Sequence, residues 1–230
     1  MGRKVFLSAG HGGSDPGATA NGLQEKEINL QALLTCKAEL ERHGVTVVAS
    51  RTKDENDAVA QEVAEANASG AEIAVSFHAN AGGGDGFEAF YYSTSTKGKT
   101  LAGLCEKYVK AMGQNSRGCK IGDTLYFIKK TTMPAVLVES FFLDNATDKA
   151  IGDTVAEQQA FGVAYAKAIL EYLGIAYKAV APVTNTTTTN TSNSGELYRV
   201  QVGAYRQKAN ADEMLKKLKA AGFSGVVVRS

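Results

Sequence analysis

The chain contains three histidines, and two of them follow short apolar runs that have the pattern of β-strands. His11 comes after Lys4–Ala9, within a glycine-rich turn, and His78 comes after Ile73–Phe77. In α/β sheets, ligands bind in the crevice beyond the carboxyl ends of the strands, so we expect the two imidazoles to converge there. Imidazole is also a common zinc ligand, which makes the pair a candidate metal site.

Two glutamates are further candidates for residues of this site. Glu25 begins a predicted helix, and Glu139 directly follows the apolar run Ala135–Val138. A carboxylate after such a run must be paired, bound to a metal or part of a site, because burying an isolated charge is costly. Two imidazoles and a carboxylate with an open fourth position form a catalytic zinc arrangement, and a second carboxylate can then serve as general base. Glu27 competes with Glu25 for the ligand role.

The motifs of other enzyme classes are incomplete. The first glycine-rich turn would need glycine in place of Asp15 to bind a dinucleotide, and the run GKT at 98–100 would need glycine in place of Ser93 to form a phosphate-binding loop. The sequence has no G-x-S-x-G elbow. Its three cysteines form no C-x-x-C pair, which argues against a disulfide framework and a cysteine zinc site. His43 precedes Gly44 and fits a helix C-terminus.

Composition limits the classes of partner. Hydrophobic residues make up 44% and charged residues 21%, as in soluble globular proteins, and the formal net charge is +1. Such a balance provides no field to attract nucleic acid, and no apolar run approaches the roughly 18 residues of a membrane span. The N-terminal apolar stretch fits a first strand better than a secretory signal. We therefore expect no export signal, and synthesis in the cytoplasm.

The elements that must position these residues alternate along the first 176 residues. Strands are predicted at Lys4–Ala9, Val45–Ala49, Glu72–Phe77, Gly86–Tyr92, Leu125–Ile128 and Ala135–Glu139, and helices at Glu25–Arg42, Asp57–Ala68, Gly98–Met112 and Thr154–Leu173. Strands that alternate with helices of this length predict an α/β fold whose sheet is covered on both faces.

The composition changes after residue 176. The stretch 177–195 is rich in threonine and asparagine and cannot bury enough apolar surface to offset its ordering entropy, which predicts a linker. Residues 196–230 then show a strand, helix and strand pattern. This βαβ module is below the size at which a hydrophobic core is usually self-sufficient, so it is expected to need a partner surface.

Four segments together resemble a known family. The series SAGHGGSDPG at 8–17, EKEINL at 25–30, SFHAN at 76–80 and MPAVLVE at 133–139 resembles the zinc-dependent N-acetylmuramoyl-L-alanine amidases called amidase type 3. The resemblance runs in order over the first 176 or so residues. It implies a twisted, mainly parallel sheet with helices on both faces, which agrees with the pattern of elements.

The resemblance also implies roles for individual residues. It implies that one zinc ion per chain is held by His11, Glu25 and His78, which favours Glu25 over Glu27. It implies that the catalytic carboxylate is Glu139, which would activate a water to cleave the bond between N-acetylmuramic acid and L-alanine. Substrate contacts are expected from residues in or near the segments that line the family's groove, namely Asn80 and Arg117.

Two other functions fit the same motifs. One is a zinc peptidase or deacetylase that acts on another bond of the wall, and the other is a non-catalytic peptidoglycan-binding protein with a structural metal. A wall hydrolase without an export signal suits a phage or prophage endolysin released through a membrane lesion. It also suits an autolysin freed by lysis or a mother-cell enzyme of spore-forming bacteria.

The C-terminal residues resemble part of a second family. Leu197–Tyr205 and Ala209–Gly222 resemble the start of a SPOR domain, a class that binds peptidoglycan, preferentially glycan stripped of its peptides. A full domain of this class has two βα repeats in one sheet, so residues 196–230 have about half that length. Two interpretations of this half-length module are open. It pairs with a second copy of itself, or it is a truncated tail.

We predict that this half-length module completes its sheet with a second copy, which makes the protein a homodimer. Sedimentation at micromolar concentration checks this and should give the mass of two chains. A monomer whose C-terminal residues are still folded would contradict the prediction.

Overall fold

The computed structural model describes residues 2–179 and a few positions between 208 and 227. Its strands are β1 Lys4–Ala9, β2 Thr19–Ala20, β3 Leu23–Gln24, β4 Thr46–Ala49, β5 Ile73–Asn80, β6 Phe87–Tyr91, β7 Ser116–Ile121 and β8 Ala135–Phe142. Its helices are α1 Glu25–Arg42, α2 Val59–Ser69, α3 Thr96–Ala111, α4 Tyr126–Lys130, α5 Ala146–Lys149 and α6 Val155–Tyr172. Most of the predicted linker, the predicted module at 196–230 and its dimer contact lie outside the described residues.

Six strands form one sheet in the order β4-β1-β5-β8-β6-β7. Strand β1 pairs in parallel with β4 and β5, β5 pairs in parallel with β8, and β6 pairs in parallel with β7. The pair β6–β8 alone is antiparallel among these. The predicted mainly parallel α/β sheet is therefore confirmed. The short strands β2 and β3 form a separate hairpin directly before α1.

Helices cover both faces of the sheet, as predicted. Helices α1, α3 and α6 pack on the first face and share its large apolar core, which includes Leu33, Leu101, Phe161 and Tyr165. Helices α1 and α6 approach each other closely at Gly162, where a Cβ atom would lie 2.5 Å from the carbonyl oxygen of Ala32. Helices α2 and α4 pack on the second face. Within the described part of the chain, no helix has the length and apolar character of a bilayer span.

On the second face of the sheet, the side chains are apolar at one end of the strands and polar at the other. Its apolar half is built on a cluster of strand residues, namely Phe6, Ala74, Ala135, Leu137 and Phe90. Residues two positions apart share a face, so the strands continue on this side with polar residues. These are Ser8, Ser76, His78, Glu139 and Glu88. The polar half of the second face is the edge at which the sequence predicts a site.

One predicted element is wrong. Leu125–Ile128 was expected to be a strand, but α4 covers Tyr126–Lys130 and packs Phe127 and Ile128 onto the second face. An apolar run this short fits a strand or a buried helix equally well, so its periodicity cannot decide between them. The strand of this region is β7, Ser116–Ile121, which the sequence analysis missed because this edge strand is mostly polar and contains glycine.

Two strands run further than predicted. The expected strands end at Phe77 and Glu139, but β5 continues to Asn80 and β8 to Phe142. Their pairing has a register shift between His78 and Asn80. Backbone pairing does not require apolar side chains, so the strands persist where the side chains become polar. His78 and Glu139 consequently lie within the paired sheet, next to an irregularity of the kind that often adjoins active sites.

Candidate metal centre and active site

The carboxylate of Glu25 is the centre of the site. It lies at the first residue of α1 and is buried, with 5% of its surface exposed. Its Oε1 lies 2.9 Å from Nδ1 of His78, and its Oε2 lies 3.2 Å from Nε2 of His11. The backbone N–H groups of Ala18 and Ala79 donate to the same carboxylate at 2.9 and 3.2 Å.

The structure thus brings together the three residues that the sequence proposes as metal ligands. One nitrogen or oxygen atom from each of His11, Glu25 and His78 lies within 4.8 Å of the others. The two imidazole rings are nearly perpendicular, at 80°, with centroids 5.3 Å apart. Two imidazoles and one carboxylate suit zinc, which accepts nitrogen and oxygen ligands. Glu27, the competing carboxylate, is exposed on α1 and does not belong to this group.

His11 is held by a carboxylate that the sequence analysis did not assign. Its backbone lies in the left-handed region with φ 66°, and its Nδ1 lies 2.8 Å from Oδ2 of Asp15. The other oxygen of Asp15 accepts the backbone N–H of Gly17 at 3.0 Å. A carboxylate on the second ring nitrogen fixes the orientation of a metal-binding imidazole. The signal in the sequence was an aspartate four residues after the histidine, in the same turn.

Two glycines, Gly10 and Gly17, leave the space that the side chains of His78, His11 and Glu25 occupy. A Cβ atom on Gly10 would lie 2.1 Å from Cε1 of His78, and one on Gly17 would lie 2.6 Å from Oε2 of Glu25. Gly17 also has a φ of 65°, which favours glycine. The buried Asn29 on α1 donates from Nδ2 to the carbonyl oxygen of Gly10 at 3.0 Å. The turn after β1 is therefore fitted closely around both imidazoles.

A buried arginine connects the segments that carry the ligands. Arg51 follows β4, and its Nε donates to the carbonyl oxygen of Ala9 at 2.9 Å, while its Nη2 donates to that of Lys26 at 2.7 Å. Ala9 is two residues before His11, and Lys26 directly follows Glu25. This role of Arg51 could not be predicted from the sequence, because both of its partners are distant in the chain.

The charges in the site favour a cation. A hydrogen bond with Glu25 raises the pKa of His11 to about 9. Burial lowers the pKa of His78, but its hydrogen bond with Glu25 and the nearby charge of Glu139 raise it above the usual range. Burial opposes the ionisation of Glu25, yet the two histidines hold its pKa below its ordinary value. Both histidine shifts favour positive charge next to Glu25, which is the charge that a bound metal ion would supply.

Glu139 is the cross-strand partner of His78, on β8. Its Oε2 is shielded from solvent and has no hydrogen-bond partner in the described part of the chain. Burial raises the pKa of Glu139 to about 7. A carboxylate that titrates near neutral pH can accept and return a proton there, which suits a general base.

The two residues expected to contact the substrate, Asn80 and Arg117, lie near each other at a carboxylate on β6. Arg117 on β7 donates from Nε to Glu88, and Nδ2 of Asn80 lies 3.5 Å from the same carboxylate. Both residues therefore meet at Glu88 on β6, and within the described residues neither side chain is hydrogen-bonded to the two histidines or to Glu25. Glu88 was not among the predicted site residues, although a carboxylate within an apolar strand was a usable signal.

Known proteins with related sequences identify the family. A family model described as N-acetylmuramoyl-L-alanine amidase matches residues 5–171. The chain belongs to this amidase family. Its relatives include the sporulation-specific N-acetylmuramoyl-L-alanine amidase of Bacillus subtilis (strain 168), 34% identical over 98% of this chain and 84% of that protein. The endolysin of Bacillus phage SPP1 is 38% identical over 71% of this chain and 66% of that protein.

The solved structures agree with the family. The catalytic domain of CwlV, an N-acetylmuramoyl-L-alanine amidase from Bacillus (Paenibacillus) polymyxa var. colistinus, has a TM-score of 0.70 at 32% identity, over 76% of this chain and 99% of that one. The resemblance and the fold predicted from the sequence are thereby confirmed. As an N-acetylmuramoyl-L-alanine amidase, the chain is a peptidoglycan hydrolase of a family that generally depends on zinc.

A second family model, for the SPOR domain, matches residues 163–229. The match begins within α6, whose residues Ala164, Tyr165 and Ile169 are buried in the core of the amidase fold. The SPOR resemblance predicted for the C-terminal residues is confirmed, and the family match extends further towards the N-terminus than the predicted module.

We expect Gly10→Ala to weaken metal binding without unfolding the protein, because the added methyl group occupies the position of the His78 ring. Gly103→Ala on α3 is the matched control, since a Cβ atom there meets nothing within 4 Å. Calorimetric titration with zinc, with circular dichroism as the folding check, measures the effect. Equal zinc affinity in the two variants would contradict this account of the turn.

Proposed function

We propose that the enzyme cleaves the amide bond between N-acetylmuramic acid and L-alanine with one zinc ion held by His11, Glu25 and His78. The observation that carries the proposal is the convergence of these three donors beside the shielded carboxylate of Glu139. In the described part of the chain the donor group has three members. A catalytic zinc site keeps its fourth position for water or substrate, whereas a structural site fills it with protein.

Zinc, when bound, supplies a Lewis acid that lowers the pKa of a water molecule and polarises a carbonyl group. Glu139 accepts a proton from the attacking water on its Oε2 atom. The water oxygen forms a bond with the lactyl carbonyl carbon, and the bond from that carbon to the alanine nitrogen breaks. Glu139 returns the proton to this nitrogen, so the products are a lactyl carboxylic acid and a free alanine amine. No covalent link to the protein is required.

The surroundings of Glu139 support its role. Within the described residues Oε2 of Glu139 has no hydrogen-bond partner, which leaves it free to exchange a proton, and burial raises the pKa of Glu139 to about 7. His11, by contrast, is held by Asp15 on one nitrogen and faces Glu25 with the other. This arrangement suits a ligand, which must keep a fixed orientation.

We further propose that residues 1–176 are the catalytic domain, 177–195 the linker and 196–230 a peptidoglycan-binding module. The SPOR match supports wall binding by the C-terminal residues. The proposed site of action is the bacterial wall, reached after release through a membrane lesion or by lysis. Relatives named as a phage endolysin and as a sporulation-specific amidase fit the two proposed settings.

Digestion of purified bacterial walls tests the reaction. We expect new alanine amino termini without new reducing sugars, loss of cleavage with a chelator, and recovery on addition of zinc. Other amino termini would assign the enzyme to a different wall bond, and reducing sugars would assign it to the glycan.

In the same assay we expect Glu139→Gln to lose activity by roughly 100- to 10,000-fold while keeping one zinc per chain, since the change removes the base and no proposed ligand. Glu27→Gln, an exposed change on the same helix as Glu25, is the control and should remain active. An active Glu139→Gln variant, or one that has lost its zinc, would contradict the assignment.

A further inference from the structure

A buried carboxylate with two cations lies next to the proposed active site. The side chain of Glu88 is 7% exposed, and its Oε1 contacts both Nε of Arg117 and Nζ of Lys120. Burial disfavours its ionised form, but hydrogen bonds from the two cations hold the pKa of Glu88 below the usual range. The carboxylate is therefore charged, and it fixes both cations on the same side of β6.

This cluster continues the row of site residues across the sheet. Glu139 is the cross-strand partner of His78 on one side and of Glu88 on the other. Directly opposed residues lie on the same face with Cβ atoms about 4.5–5.5 Å apart. The row therefore runs from a proposed metal ligand to the proposed general base and then to Glu88, where Arg117 and Lys120 reach in from β7.

The cluster carries one surplus positive charge. Two cations face one carboxylate, and the side chains of Arg117 and Lys120 are 44% and 38% exposed. The guanidinium group of Arg117 also stacks over the ring of Phe142, with its Cζ atom 5.3 Å from the centroid. Within the described part of the chain only the Nε of Arg117 is hydrogen-bonded. Its two terminal nitrogens form a fork that matches the two oxygens of a carboxylate.

We propose that Arg117, held by Glu88 and Phe142 and assisted by Lys120, binds a carboxylate of the peptide released by the reaction. The inference rests on the proposed amidase function. The glycan backbone beside the scissile bond offers hydroxyl and amide groups, whereas the stem peptide carries free carboxylates. The second stem residue is a glutamate linked through its side chain, so its α-carboxylate is free unless the wall is amidated.

The order of the strands places Arg117 close to the proposed base. Arg117 on β7 donates to Glu88 on β6, and Glu88 is the cross-strand partner of Glu139 on β8. An extended peptide advances roughly 3.3–3.6 Å per residue, so the proposed partner of Arg117 is a carboxylate within the first residues beyond the scissile bond. Arg117 is thus a specificity-determining residue, and Glu88 is the residue that positions it.

The test uses two soluble substrates, muramoyl peptides whose second residue is either glutamate or its α-amide. We expect the wild-type enzyme to have a kcat/KM roughly tenfold or more higher on the acid form, since a hydrogen bond to a charged group is strong. Arg117→Gln should lower kcat/KM roughly 10- to 100-fold on the acid form and by no more than about twofold on the amide. Lys110→Gln, an exposed loss of one positive charge on α3, is the control and should keep the wild-type preference.

Glu88→Gln should also reduce the preference for the acid form, as Arg117→Gln does. The substitution keeps Arg117 but removes the carboxylate that holds it. Equal cleavage of both substrates by the wild type, or an equal loss on both substrates in Arg117→Gln, would overturn the carboxylate subsite and leave the amidase proposal standing. Failure of the wild-type enzyme to release alanine amino termini from walls and from both substrates would instead reject the amidase proposal.

Discussion

The rest of the site depends on the contact of one buried carboxylate, that of Glu25, with two imidazoles. His11 follows β1, His78 lies within β5 two residues before its end, and Glu25 contacts both of them from the start of α1. An acidic residue in the first turn is favoured by the helix dipole, so the helix itself favours this placement. The close packing of α1 against α6 at Gly162 then fixes the helix over the sheet.

The second face of the sheet has two halves. Helices α2 and α4 cover its apolar half, while the same strands present polar side chains at the opposite end. Since side chains on neighbouring strands align in rows, one row carries a proposed ligand, the proposed base and the carboxylate that holds Arg117. The role proposed for each side chain in this row follows from its burial and from the charged groups next to it.

The sequence predicted much of this site because its central residues break local patterns. His11, His78 and Glu139 are polar residues that follow apolar runs, and Glu25 opens an amphipathic helix. Arg51 was missed because its partners are distant in the chain. Asp15 and Glu88 were missed although each had a local signal, an aspartate in the same turn as His11 and a carboxylate within an apolar strand. The strand predicted at Leu125–Ile128 is part of helix α4 instead, because a short apolar run fits either element until its packing partner is known.

X-ray absorption spectroscopy of the zinc-loaded enzyme shows whether His11, Glu25 and His78 hold the metal, since it reports the atoms that surround it. We expect two imidazole nitrogens together with oxygen ligands, all at about 2.0–2.2 Å, one of them the carboxylate of Glu25. The imidazole signal should fall to one ring in His78→Ala. A sulfur shell at about 2.3 Å, or a spectrum unchanged by that substitution, would show that the metal binds elsewhere and would contradict the account.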